Sequence, residues 1–582
     1  MTSTQRRLVL AAALAAPAAF ACGPAARPGA VGPRPGPPYD VVLEGGRVVD
    51  GTGNAWFYGD VAITGDRIAR IAPPGMLRGA RTRERVDARG LVVAPGFIDI
   101  QSHSRDALLT GDGRVVSKVT QGVTTEILGE GWTNAPVNDR ILEAADLSDP
   151  NASGAAGFRG SRGFDAWLRA MERRGMSVNA GSFLGAATVR VYAKGLAVGP
   201  PSGAELDTMR AVTRRAMEDG AFGVASALIY PPNSFATTAE LIEIARAMAP
   251  YGGVYITHMR SEADQLLEAI DEAIRIGREG GVPVEIYHLK AAGRRNWPKA
   301  ALAIAKIDSA RAAGLDVQAD MYPYVAGGTG LTACLPPWAS ADGKLLENLR
   351  DPVTRERIKA EVLSDRTEWE NLCALATPEG VLVLELTKPE NRPWAGKPLS
   401  EIAAGLGKPW LDAAIDLIVS EEHRIGTIYF LMSEENVALQ LRQPWIKVGT
   451  DAGGFDPDSA AGLTHPRAYG TYPRILGRYV REQGVIGLEE AVRKMSSAVA
   501  TRLSIRDRGL LREGYFADVV AFDPAAIADR ATFERPHELS VGVRHVFVNG
   551  VPVVRDGRHT GARPGRIVRG PGYAVGRRPT LP

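Results

Sequence analysis

Cysteine is scarce in this chain: three in 582 residues. That excludes a small disulfide-framework protein, and the spacing of Cys334 and Cys373 permits one disulfide without signalling it. Net charge is almost absent as well, +3 from 69 basic and 66 acidic residues, which gives no argument for nucleic acid or an acidic partner. Beyond Leu8–Ala21 there is no long apolar run, so no transmembrane helix is expected. Also missing are internal repeats of about 20–50 residues and a glycine-rich loop of the nucleotide-binding type. What is present, 45% hydrophobic and 23% charged residues, reads as soluble and globular. The length is too great for one ordinary core, so two or more domains are expected.

Residues 1–22 read as a secretory signal. Arg6 and Arg7 precede the apolar run, which is too short to span a bilayer and ends in small residues. The paired arginines permit a twin-arginine reading. Cys22-Gly23 resembles a bacterial lipoprotein cleavage site, with Ala19-Phe20-Ala21 an imperfect lead-in; the alternative is ordinary cleavage near Ala21. Residues 23–38 are rich in proline, glycine and alanine and read as a flexible tether. The expected location is therefore the periplasm or, with a lipid anchor at Cys22, the outer membrane.

Residues 39–94 alternate apolar and polar positions between Gly and Asp turns, and the same texture returns in 506–570, where Asn549-Gly550 signals a hairpin. Two β-rich pieces at opposite ends of a chain suit one small domain; two independent flaps are the alternative. Between them, from residue 95 to 505, helices and buried strands alternate. Helical spacing falls on 203–219, 237–252, 261–281 and 296–314, with strands before or after each. This rhythm predicts a parallel sheet, and eight such units close a (β/α)8 barrel, of which about seven are clear. Residues 330–440 break the rhythm and read as an insertion in which 346–365 is helical.

Polar groups stand where buried strands emerge into loops. In Val93–Arg105 (VAPGFIDIQSHSR), Gln101 and His103 fall two apart and would face one way in an extended strand. His258 (ITHMR), His288 (IYHLK) and Asp451 (GTDAG) occupy similar places, with Glu130 (GEG) a fifth. Any one of these histidines alone is more simply a packed or solvated group. Barrel closure, however, brings strand ends together whatever their separation in sequence, and converging imidazoles and carboxylates suit Zn2+ or a similar cation. A nearby aspartate can then take a proton from an attacking water and return it to a leaving nitrogen.

These pieces resemble the amidohydrolase superfamily and, within it, the N-acyl-D-amino-acid deacylases (D-aminoacylases). The resemblance runs from about Asp40 to Gly570 and rests on VVLEGGRVVDGTG, APGFIDIQSHS, QGVTTEILGEG, SALIYPP, YITHMRSE, IYHLK, DMYPYVAG, VGTDAGG, HPRAYGTYPRILGRYV and ADVVAFDP. It implies a TIM-like metal-dependent barrel, a small β-sandwich built from both chain ends and an inserted small domain. It implies that His258 and His288 are metal ligands and that Asp451 is the general base and acid. It further implies that Lys290, Arg467 and Tyr230 hold the carboxylate of a small-molecule amide substrate, with Tyr322 assisting at the reacting amide.

The chain departs from the family pattern twice. The usual His-x-His of the first strand is Gln101-Ser102-His103, and the usual Gly-Asn-Cys-Gly of the second is Gly129-Glu130-Gly131 with one residue deleted, placing Glu130 at the cysteine ligand's position. A carboxylate can replace a thiolate on zinc. The expectation is one main zinc per chain held by Glu130, His258 and His288, with Asp451 at the open side; His103 either binds weakly or lines the pocket. The implied reaction is hydrolysis of an N-acyl-D-amino acid to a carboxylate and a D-amino acid. A dipeptidase or cyclic-amide hydrolase of the same superfamily and a degenerate, non-catalytic binding lipoprotein are the alternatives.

Overall fold

The computed structural model describes residues 39–575 apart from 149–156, 161 and 366. The signal, the tether, Cys22 and the end of the 571–582 tail lie outside the described residues.

Strands β1 (Tyr39–Val48), β2 (Phe57–Thr64), β3 (Arg67–Ala72), β4 (Thr82–Asp87) and β5 (Val92–Pro95) open the chain. The barrel follows with β6 (Phe97–Asp99), β7 (Val123–Leu128), β8 (Asn179–Ser182), β9 (Leu184–Gly185), β10 (Gly223–Ala227), β11 (Val254–His258), β12 (Val284–Ile286) and β13 (Val317–Met321). An excursion carries β14 (Ala326–Gly330), β15 (Val381–Val383) and β16 (Gly426–Phe430); β17 (Ile446–Val448) then completes the barrel. Parallel pairing runs β6-β7-β8 and β9-β10-β11-β12-β13-β17. Because β8 and β9 are one strand interrupted at Phe183, eight strands are present, and the ring closes where Ser102 bridges Ala452 and the Asp451 amide donates to the Gln101 carbonyl at 2.9 Å.

The strand missing from the sequence reading is this interrupted third one. Asn179–Gly185 has no β-branched residue, yet every member is buried. Packing from both faces, not β-propensity, makes it a strand. The expectation that the strand introduced by Pro95-Gly96 stays extended through Gln101 and His103 is also corrected, since β6 ends at Asp99.

The helices follow their local chemistry. Gly203–Asp219 begins on a capping box between Ser202 and Glu205, Thr237 caps Thr238–Met248, and Leu266–Gly280 stops at Gly281 with φ 70°. The single helix expected over 346–365 is two, Leu345–Arg350 and Pro352–Val362. Proline keeps the residue before it out of the α region, and Asp351 (ψ 118°) instead caps the second helix through Thr354 N–H.

The insertion spans β14 to β16, against the expected 330–440. Its three strands form an antiparallel sheet, and buried Cys334 and Cys373 are joined within it, Cα atoms 5.0 Å apart. Strands β18 (Val519–Phe522), β19 (Val543–Val548), β20 (Val551–Arg555) and β21 (Arg558–His559) return to the first five. The two chain ends meet where β5 pairs β18, giving one nine-stranded sheet whose apolar side gathers Leu43, Val61, Ile63, Val519 and Phe547. Asn549-Gly550 turns β19 into β20, both residues at positive φ. Among the described residues no helix is long and apolar enough to cross a membrane.

Candidate active site

A cavity of about 700 Å3 opens at the C-terminal ends of the barrel strands, lined by His103, Glu130, His258, His288 and Asp451. Local backbone geometry places each. Gly129 (φ 110°) and Gly131 (φ 64°) bend the chain on both sides of Glu130, and a Cβ at Gly129 would press into the Phe183 carbonyl. His288 (φ 33°) and Asp451 (φ 49°) themselves hold left-handed conformations that non-glycine residues rarely adopt. Such strain, roughly 1–3 kcal/mol each, persists where surrounding structure imposes it and gathers at functional sites. Here the imposing contacts are the Asp320 carboxylate on the His288 amide at 2.8 Å and the barrel-closing bond of Asp451.

Glu130, His258 and His288 each offer a ligand atom within 4.8 Å of the others; His103, Glu130 and Asp451 form a second such group. The buried His258 Nε2 has no hydrogen-bond partner among the described residues. Burial works against the Glu130 carboxylate, but hydrogen bonds from His103, His258 and His288 outweigh it and hold its pKa well below the ordinary value. Desolvation likewise opposes the His103 imidazolium, yet bonds to Asp451 and Glu130 and their charges raise it to about 9. Glu130, His258 and His288 thus offer two imidazoles and a carboxylate, a donor set that fits Zn2+.

Gln101 shows what replaces the usual histidine. Buried just past β6, its Nε2 donates to Glu130 Oε2 at 2.5 Å and to Asp451 Oδ1 at 3.1 Å. The amide therefore bridges the two carboxylates of the second group. His103, with its side chain 44% exposed, reaches the same pair from outside, 2.9 Å from Asp451 Oδ1 and 3.4 Å from Glu130 Oε2.

Two carboxylates that sequence reasoning overlooked organise the rest. Glu262, four residues past His258, is buried with Oε1 2.7 Å from Lys290 Nζ and 2.9 Å from His288 Nδ1, and Oε2 2.8 Å from Lys290 Nζ. Although burial opposes its charge, Lys290 and both imidazoles hold its pKa far below the usual range. Lys290, expected to grip a substrate carboxylate, lines the cavity, pairs with Glu262 and lies 2.8 Å from His288 Nδ1. His288 Nδ1 thus sits within reach of both Lys290 and Glu262, which fixes the ring with its Nε2 turned toward Glu130, 3.6 Å away. The i, i+4 spacing from a strand-end histidine was the available signal for Glu262. Asp99 is the other: Lys118 Nζ, fully buried, lies 2.7 Å from its Oδ2, 2.5 Å from Thr450 Oγ1 and 2.7 Å from the Ala452 carbonyl, and so ties β6 to the loop bearing Asp451.

Arg467 lies against Asp451, Nη1 to Oδ2 2.6 Å, with its guanidinium 4.6 Å from the Tyr322 ring centroid. Nη2 donates to the Gly328 carbonyl at 3.2 Å, whereas buried Nε and Nη1 make no aligned hydrogen bond among the described residues. Burial penalises the Asp451 carboxylate, and Arg467 above all lowers its pKa nonetheless, so it is ionised at neutral pH. The Tyr230 ring stands edge-on to His258, centroids 5.3 Å apart. His465 has both ring nitrogens occupied, by the Ala326 carbonyl and the Arg467 amide, and is structural.

Comparison with known proteins places this geometry. Residues 412–554 match the amidohydrolase family. The chain is similar to D-aminoacylase of Alcaligenes xylosoxydans xylosoxydans, 36% identical over 533 residues that cover 91% of this chain and 98% of that one. A solved D-aminoacylase, described by a binuclear metal centre with one-metal activation and second-metal attenuation, superposes with TM-score 0.76 at 35% identity, covering 91% of this chain and all of that one. N-acyl-D-glutamate deacylase from Bordetella bronchiseptica, solved with zinc and a phosphonate mimic of the tetrahedral intermediate, superposes with TM-score 0.74 at 31% identity over 92% of this chain and 100% of that one.

Proposed function

The chain belongs to the amidohydrolase family, among the D-aminoacylases and N-acyl-D-amino-acid deacylases, and from that premise we propose that it hydrolyses N-acyl-D-amino acids at a single-zinc site. The observation that carries the reading is the Arg467 guanidinium, buried in the cavity against the catalytic aspartate with Nε and Nη1 lacking aligned acceptors among the described residues. A buried guanidinium with donors to spare suits a carboxylate. Such a carboxylate would lie beside the amide to be cut, as an N-acylated amino acid requires.

Glu130, His258 and His288 would hold the zinc, which when bound polarises an amide carbonyl and brings the pKa of a water down to about 7. Asp451 takes the attacking water's proton on its carboxylate and delivers it to the amine nitrogen as the C–N bond breaks. His103 and Gln101 fix the carboxylate's orientation through Oδ1, leaving Oδ2 and Arg467 on the substrate side. Arrival of the substrate carboxylate shares Arg467 between two anions, which weakens its hold on Asp451 and makes the aspartate a stronger base. Tyr322 and Tyr230 wall the carboxylate end. Gln101 supports a count of one zinc, because its amide already bridges Glu130 and Asp451.

The reading of residues 1–22 supports export, and the Cys334–Cys373 bond suits an oxidising compartment. Cell fractionation, with and without substitution of Cys22, tests location and lipidation together. For the activity, purified chain is assayed for zinc and against N-acetyl-D- and L-amino acids, their carboxamides, dipeptides and hydantoins. Turnover of the D acids with about one zinc per chain is expected, with the carboxamides slower by at least about 100-fold because a neutral amide cannot pair with the buried Arg467 charge. Preferential turnover of hydantoins or dipeptides, or no metal and no turnover, would overturn the proposal.

A further inference from the structure

The cavity reaches beyond Arg467 to a second guanidinium. Arg424 lines it just before β16, beside Gly330 at the end of β14, where a Cβ on Gly330 would lie 3.4 Å from Arg424 Cγ and Nε. Its side chain is exposed and makes no hydrogen bond or ion pair among the described residues. The neighbouring acids are engaged elsewhere: Glu421 by Thr387, Asn391 and His423, and Glu422 by Arg350.

Arg467 contacts the same strand at Gly328, two residues earlier. Two residues of extended chain span about 7 Å. Gly327 and Gly328 carry no side chains into the space between, and the cavity is continuous past them and Thr329 to Arg424. Two guanidinium groups thus stand along one glycine-rich strand, one beside the scissile position and one a short spacer away. Matching charge along that line needs a substrate with two carboxylates separated by one or two methylenes.

We infer that Arg424 is a second carboxylate subsite and that the substrates are N-acyl derivatives of acidic D-amino acids, the side-chain carboxylate meeting Arg424 while the α-carboxylate meets Arg467. This rests on the deacylase reading above. An acidic acyl group would offer the same chemistry from the other end of the substrate. The side chain is favoured because both arginines flank one strand on the carboxylate side of the amide.

The test measures kcat/KM of the full chain and of Arg424→Ala and Arg424→Lys on N-acetyl-D-glutamate, N-acetyl-D-aspartate, N-acetyl-D-leucine and N-succinyl-D-leucine. The wild type is expected to favour the acidic acetyl substrates over N-acetyl-D-leucine by at least about tenfold, and Arg424→Ala to cut that ratio about 30-fold through KM, the scale of a lost charge-assisted hydrogen bond. Lysine should restore part of it. A ratio in Arg424→Ala within threefold of the wild type's, or a loss confined to N-succinyl-D-leucine, overturns the assignment. Calorimetric binding of D-glutamate against D-leucine reads the subsite without turnover. An inactive chain that still binds D-glutamate through Arg424 would sink the deacylase reading and keep the subsite, whereas equal binding of both amino acids sinks the subsite.

Discussion

Replacing Glu262 with glutamine keeps the shape of the side chain and removes its charge, and two separable losses should follow. Lys290 Nζ has both Glu262 oxygens at 2.7 and 2.8 Å in a buried setting, so the substitution strands an ammonium away from water. Breaking a buried pair from one side costs about 3–5 kcal/mol. His288 loses the carboxylate charge 2.9 Å from its Nδ1. Losing such an outer partner typically weakens metal binding about 10–100-fold, or about 1.4–2.8 kcal/mol. The double variant Glu262→Gln/Lys290→Met removes the stranded charge as well, so it should regain most of the stability and none of the zinc affinity. Urea denaturation of chelator-treated protein reads the first effect, and zinc competition against a chromophoric chelator reads the second. A single variant within 1 kcal/mol of wild type, or a double variant that recovers zinc affinity together with stability, would refute this account of Glu262 (thresholds set about the ordinary range for such pairs).

Asp451→Asn should retain zinc and lose activity by about 10²–10⁴-fold, the usual worth of a positioned general base, as steady-state kinetics will show. Gln101→His removes the amide that bridges Glu130 and Asp451 and supplies an imidazole, so elemental analysis should find zinc rising from about one toward about two per chain. In the insertion, Glu421 meets a burial penalty that bonds from Thr387, Asn391 and the Thr387 and Lys388 amides more than offset, which lowers its pKa from 4.5 to about 2. A depressed folded pKa stabilises above the unfolded value and fades as the pH falls through the folded one. Glu421→Gln should therefore be less stable than wild type at pH 7, with the gap in denaturation midpoint closing between 4.5 and about 2.

Much of the fold was legible because burial writes itself into periodicity. The helices at 203–219 and 237–252 carry their caps in the sequence, and seven barrel strands announce themselves by apolar runs between turns. The eighth, Asn179–Gly185, did not, since its small and polar residues are buried by neighbours far along the chain. The break at Asp351-Pro352 was readable from proline alone and was passed over. Of the site, Glu130, His258, His288, Asp451, Arg467 and His103 were placed by motif and converge on one cavity. Glu262 and Lys118 were not, as an acidic residue in a loop or a lysine in a short helix looks like a solvated charge until its surroundings are known.

The sequence by itself determined which chemical groups this protein has at its strand ends, because residue identity fixes donors, charges and apolar rhythm locally. Tertiary structure alone decided what each group is paired with: Gln101 with Asp451 350 residues away, Lys290 with Glu262, and Arg467 with Asp451. Hydrogen bonds and ion pairs act through a few ångströms of space and take no account of separation along the chain, so these partners come into being only when the barrel closes.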